Sequence, residues 1–265
     1  MSASSPLQEW AVAFLENVPT LPTPSLWLEQ ERIAGRLFSF LPELGKCYGV
    51  EQNQYHKYDV YYHLLHSCDA APARLELRLA ALFHDIGKPR EKKIIQGKTV
   101  FYNHELTSTS LAYEILTRLG LPESPKKKIT LLIRHHMFHY RENWSDSAIR
   151  RILKKVGSEN LEDLFLLRIA DRVGNGTRQG ESEKVKELKK HIQRVIQAEN
   201  SFKIKDLDID GRDILALGVA PGPEIGKVLR YLFEQAQGEN ISNERAPLHE
   251  CARNFIEKEN LNREE

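Results

Sequence analysis

The stretch ALFHDIGK, residues 81–88, closes the apolar run LELRLAALF (75–83) with a histidine and an aspartate side by side, then glycine and lysine. The run reads as a buried helix. A buried carboxylate is costly unless something pairs with it, so this helix end has reached either water or a cation. Adjacent helical residues point about 100° apart. A His-Asp pair therefore sits best at a helix end, where Gly87 frees the backbone, or where the carboxylate bridges two ions.

Working outward, most of the ten histidines fall between residues 56 and 139. His63 stands in YDVYYHLLH, His104 in FYNHELTS, and His135 and His136 in LIRHHMFH. Asp171, in LLRIADRVG, ends another apolar helix. Each element lies on or beside an expected helix, in the order H, HD, H, HH, D. Asp59, four residues before His63, would share its helical face and is a further candidate ligand. His66 and His139 are read as core histidines. Imidazoles mixed with carboxylates suit a transition metal, and such sites with open positions are what metal-assisted hydrolysis requires. The ligand types do not distinguish Mn, Fe, Co, Ni, Zn or Mg.

The rest of the chain is a helical protein by its patterning. Apolar residues recur at spacings of three and four in WAVAFLENV, LWLEQERIAGRLFSFL, LAYEILTRL, IRRILKKV and KVLRYLFEQA. KKIIQGKTVFYN (92–103) reads as a small hairpin around Gly97 or as a loop. Breaks at VPTLPTPS, LPESP, GNGTRQG and VAPGPEIG suggest a helical lead-in over 1–50, a central domain over 51–180, and a linking helix with a small helical unit over 181–265. KDLDIDGRD spaces Asp206, Asp208 and Asp210 like the start of a calcium loop, but the twelfth position is Leu217, so the stretch reads as a turn and N-cap.

With 265 residues and 41% hydrophobic composition the chain can bury a substantial core, and its formal net charge of +1 favours no partner class. Locally, Lys126 to Lys155 carries nine Lys or Arg against two acids, a solvated helix face or a phosphate-contacting one. Cys47, Cys68 and Cys251 lie far apart with no CxxC spacing, which predicts free thiols in a reducing compartment. Without a leader or a long apolar run, a cytoplasmic protein with no membrane contact is expected.

The order H…HD…H…HH…D, centred on HDIGK, resembles the HD superfamily of metal-dependent phosphohydrolases. The resemblance implies an all-α fold, an HD-domain helical bundle. It implies that His63, His84, Asp85 and Asp171 hold a first divalent metal and that His104, His135 and His136 hold a second, with Asp85 bridging both. Catalysis then falls to Asp85 and Lys88, with Lys88 on a substrate phosphate and Arg134 a second substrate-binding candidate. MFHYRENW lacks the GYP signature of the cyclic-di-nucleotide-cleaving branch, which disfavours that substrate.

A second resemblance covers about residues 26–245. SFLPELGKCYGVEQNQYHKYDVYYH, LIRHHMFHYRENWSDSAIRRILKKVG and LDIDGRDILALGVAPGPEIGKVLRYLFEQ look like the neck, HD and tail parts of bacterial CCA-adding and poly(A) polymerase-type tRNA nucleotidyltransferases. The glycine-rich turn and D-x-D pair of that family's polymerase head do not occur upstream of residue 50, so nucleotide addition by this chain alone is not expected. The sequence thus predicts a divalent-metal phosphohydrolase acting on a nucleotide or RNA-end phosphoester. The leaving-group acid stays open among His56, Lys57, Arg134 and His139. The alternative is a non-catalytic RNA-binding module that partners a separate nucleotidyltransferase head.

Overall fold

The computed structural model describes residues 5–53, 56–138, 144–238 and 240–261. Their regular structure is almost entirely helical, and the chain divides into two compact units, 1–140 with 153–186, and 141–152 with 187–265.

The first unit begins with α1 (Pro6–Thr20), α2 (Pro24–Ile33), α3 (Arg36–Phe40) and α4 (Pro42–Gly45). This lead-in is not a separate body, because it shares its core with the helices that follow. Phe14 of α1 stacks on Phe83 with ring centroids 6.5 Å apart, and Trp10 stacks on Phe14 at 5.1 Å. Phe83 closes α6 (Leu75–Phe83), which follows α5 (Val60–Ala70). The one charge in the middle of α6, Arg78, is buried but not unpaired. It donates to the carbonyls of Val18 (3.0 Å), Ala71 (3.3 Å) and Leu21, at the C-terminal ends of α1 and α5, where carbonyls lack donors within the helix.

A short α7 (Lys88–Glu91) leads into the hairpin of β1 (Lys93–Ile95) and β2 (Lys98–Val100). Gln96 (φ 49°) and Gly97 (φ 72°) are both left-handed, as a two-residue turn of this hand requires. The unit continues with α8 (His104–Arg118) and α9 (Glu123–His135). After α10 (Asp146–Val156), α11 (Leu161–Gly174) packs along α5. The approach is close: a Cβ on Gly174 would lie 2.0 Å from Ser67 Oγ and 2.8 Å from its amide nitrogen. Only glycine lets the two helices meet there, and that contact sets Asp171 against His63.

The second unit takes the start of α10 and most of α12 (Glu183–Ser201), then α13 (Gly211–Ala216), α14 (Pro223–Gln237) and α15 (Arg245–Glu259). Its own core includes Ile214, Val228, Leu232, Leu248 and Ile256. The calcium-like aspartates are used locally. Asp210 caps α13 by accepting from Arg212 N at 2.8 Å, and Asp208 accepts from Arg245 N at 3.0 Å. All three cysteines are free thiols, and among the described residues no helix is long and apolar enough to cross a membrane.

Candidate metal centre

Five helices bring six of the expected ligands to one buried point. His63 comes from the middle of α5, Asp171 from the last turns of α11 and His104 from the start of α8, while His84, Asp85 and His136 stand just beyond the ends of α6 and α9. All six are buried. The carboxylate of Asp85 divides them into two sets. Its Oδ2 lies 3.2 Å from His63 Nε2 and 3.3 Å from His84 Nε2, and Asp171 Oδ1 lies 3.4 and 3.6 Å from the same two nitrogens. Its Oδ1 lies 2.9 Å from His104 Nε2 and 3.5 Å from His136 Nε2. Two groups fit to hold an ion result, His63/His84/Asp85 and Asp85/His104/His136, with Asp85 common to both.

The tautomers sharpen this. His84, His104 and His136 each place Nδ1 against a carbonyl three residues back: Ala81 (2.8 Å), Phe101 (2.7 Å) and Ile133 (2.7 Å). A carbonyl only accepts, so Nδ1 carries the proton and donates it, and Nε2 turns a lone pair inward. Lone pairs and carboxylate oxygens at such distances, with His63 Nε2 only 3.1 Å from His84 Nε2, repel unless a cation lies among them. In the ion-free protein a proton serves: burial opposes charging of His84, but Asp85 and Asp171 outweigh it and hold its pKa up at about 10. Burial likewise opposes ionisation of Asp85, yet His84, Lys88 and His104 keep its carboxyl well below the usual range. The residues present fit a divalent metal site by donor type, orientation and burial.

Gly87 works differently from the sequence expectation. Its φ of −80° is ordinary, so the backbone needs no extra freedom there. It is needed for space: a Cβ would lie 2.6 Å from Ser108 N and 2.7 Å from the His104 carbonyl. Its own N–H donates to Ser108 Oγ at 2.9 Å, which pins the HD turn to α8.

The adjacent histidines part company, a correction to the seven-residue ligand set. His136 faces Asp85, whereas His135 ends α9 half-buried and belongs to neither group. His136 is held inward by its Nδ1 contact with the Ile133 carbonyl, while the ring of His135, about 100° away around the helix, is not brought to Asp85. Asp59 is likewise occupied: it caps α5 through Tyr62 N (2.8 Å) and accepts from Gly49 N (2.6 Å). That role was readable from an aspartate placed just before an apolar helical run.

The centre opens into a cavity of about 490 Å³. Lys88 lines it, with Nζ 2.5 Å from Asp85 Oδ2 and donating to Gln52 Oε1 at 2.6 Å. Phe101 and Tyr102, just beyond the hairpin, and Met137 form part of its wall. Arg134 is exposed and does not line it; Arg168 and Arg178 do, a substitution the sequence reading missed. Arg168 donates to Asp171 Oδ2 at 2.6 Å. Among the candidate acids, His56 lines the cavity, but burial, then the Lys88 ammonium, push its pKa down to about 3, so it is neutral near pH 7. Lys57 is exposed and away from the cavity, and His139 lies outside the described residues.

The lysine cluster at the start of α9 is largely committed to the fold. Lys126 is buried, 3.1 Å from both Glu123 and Thr117, and Lys128 pairs with Asp163 at 2.7 Å. The basic face expected over 126–155 is therefore not a free phosphate-binding surface at these two residues.

Comparison with known proteins finds relatives over most of the chain. Residues 54–176 match the family described as HD domain. The chain is 33% identical over 216 residues to an A-adding tRNA nucleotidyltransferase of Deinococcus radiodurans, covering 77% of this chain and 49% of that protein. It is 33% identical over 227 residues to a CC-adding tRNA nucleotidyltransferase of Thermus thermophilus, covering 82% and 50%. A multifunctional CCA protein of Cupriavidus necator is 31% identical over 138 residues, 50% of this chain and 33% of that protein. The chain thus spans about half the length of the first two relatives it matches.

Proposed function

We propose that this chain, which carries an HD domain over residues 54–176 and is homologous to tRNA nucleotidyltransferases, is a divalent-metal-dependent phosphohydrolase acting on a nucleotide or RNA-end phosphoester. The observation that carries the reading is the inward turn of the His84, His104 and His136 Nε2 atoms onto Asp85, each fixed by a carbonyl behind the ring. In this reading His63, His84, Asp85 and Asp171 hold one ion, and Asp85, His104 and His136 hold a second. When bound, such ions lower the pKa of a water and polarise a phosphoryl oxygen.

The chain's own residues then orient the ester. An ammonium has three N–H donors. Lys88 directs them at Asp85 and Gln52, which leaves one for a phosphoryl oxygen in the cavity. Asp85 fixes both histidine pairs at once and so sets the spacing of the two positions. Neutral His56, whose Nδ1 lies 2.9 Å from Asn53 Oδ1, can accept a hydrogen bond at the cavity wall but cannot supply the leaving group's proton.

The similarity to A-adding and CC-adding enzymes favours one second reading, a non-catalytic module that positions tRNA for a nucleotidyltransferase head. A hydrolysis panel separates the two. It comprises 2′,3′-cyclic nucleotides, a chromogenic diester and monoester, nucleoside triphosphates and RNA 3′ ends, with each candidate metal. The phosphohydrolase reading expects turnover of at least one nucleotide or RNA ester, lost in Asp85→Ala. Tight tRNA binding without turnover under any metal would favour the second reading.

A further inference from the structure

One face of α11 carries more than the ligand Asp171. Arg168, Asp171, Arg172 and Asn175 stand at i, i+3, i+4 and i+7, the spacing of a single helical stripe. Beside it lies a second cavity of about 70 Å³. A buried water occupies roughly 10–15 Å³ on this measure, so the space suits a group of several heavy atoms. Arg168, Arg172 and Arg178 line it, together with Asn175 and Ser182. Arg168, Asp171, Asn175 and Arg178 also line the larger cavity over the metal centre, so the two spaces adjoin.

Arg168, Arg172 and Arg178 thus line one small space, where Arg168 is already paired with Asp171. Arg172 Nε and Asn175 Oδ1 are buried with no hydrogen-bond partner among the described residues. A buried donor left unpaired is costly, and a planar guanidinium fork matches phosphate oxygens two at a time. We propose that this cavity is a subsite for a second, non-reacting phosphate, so that the substrate is a nucleotide or RNA end bearing another phosphate next to the ester at the metal centre. The inference rests on the phosphoester reading of that centre. It narrows the substrate to RNA ends and nucleoside bisphosphates and sets aside simple monophosphates.

The test is calorimetric binding of adenosine 3′,5′-bisphosphate to the full chain stripped of metal, where turnover cannot intrude. Replacing Arg172 and Arg178 together by Gln is expected to weaken binding by roughly tenfold or more, given the strength of charge-assisted contacts, and to flatten its dependence on salt. Lys127→Gln, which removes an exposed charge that lines neither cavity, is expected not to weaken it. Unchanged affinity in the arginine variant, or an equal loss in Lys127→Gln, overturns the subsite. If the double variant does not fold, Arg172→Lys is measured instead. It keeps the charge and loses the fork, so a loss of about threefold or more is expected, and parent affinity overturns the proposal. Because no metal or turnover enters this measurement, its failure is distinct from failure of the hydrolase reading.

Discussion

At the scale of single residues, the account turns on which way each side chain at a helix end faces. The sequence pattern singled out Asp85 because a carboxylate at the end of an apolar helix needs water or a cation, and the resemblance to the HD superfamily implied that it is shared between two ions. It could not divide the pair at the end of α9, since the rotation at a helix end depends on where the last turn stops. His136 and His135 therefore make a sharp test. His136→Ala is expected to remove the more weakly held metal equivalent, and His135→Ala to leave metal content at the parent value, as measured by mass spectrometry after dialysis. Metal lost equally from both would return His135 to the ligand set. The raised pKa of His84 gives a second test. In the ion-free protein its ring stays protonated until the pH approaches about 10, so metal must displace that proton. Metal affinity is thus expected to rise with pH across the neutral range, with proton release on loading seen in weakly buffered solution. A pH-independent affinity with no proton release would contradict this.

Between elements, glycine and charge hold the helices that present the ligands. Gly87→Ala would press a methyl group onto the backbone of α8, and is expected to cost about 1–3 kcal/mol of stability. It should also weaken metal binding through His104, a combination checked by denaturant melts and metal titration on the same variant. Near-parent values of both would show that the turn can yield. Asp163 on α11 ties three segments together. It pairs with Lys128 of α9 at 2.7 Å and with Arg74 at the start of α6. Burial opposes its ionisation, but Lys128 and Arg74 hold its carboxyl below the ordinary value. A folded-state pKa below the unfolded one adds stability above the unfolded value near 4, and that stability is lost as pH falls through the folded value. Asp163→Asn is therefore expected to lose about 1.5–3 kcal/mol at neutral pH, with the deficit shrinking below about pH 4. A deficit independent of pH would mean that the side chain acts by packing alone. Neither role was legible in the sequence, because Asp163 reads as first-turn acid and Lys128 as part of a basic cluster until α6, α9 and α11 meet.

For the molecule as a whole, the helical class and the ligand order were legible because apolar periodicity and histidine–aspartate spacing are local. What stayed hidden depends on contacts distant in sequence. Arg78, inside the apolar run 75–83, satisfies carbonyls of Val18 and Leu21. Arg134 was the arginine named as a substrate-binding candidate, while the arginines on the cavity come from α11 and the loop after it. The lead-in shares the core of the HD domain because Phe14 reaches Phe83, one residue before His84. These layers converge on one claim, that Asp85 holds a metal centre through both of its oxygens. The direct measurement is metal content at saturation for the parent chain and for Asp85→Ala, with circular dichroism to confirm that the helices persist. The account predicts two equivalents in the parent and no tightly held metal in the folded variant. Equal metal content in the two proteins would contradict it.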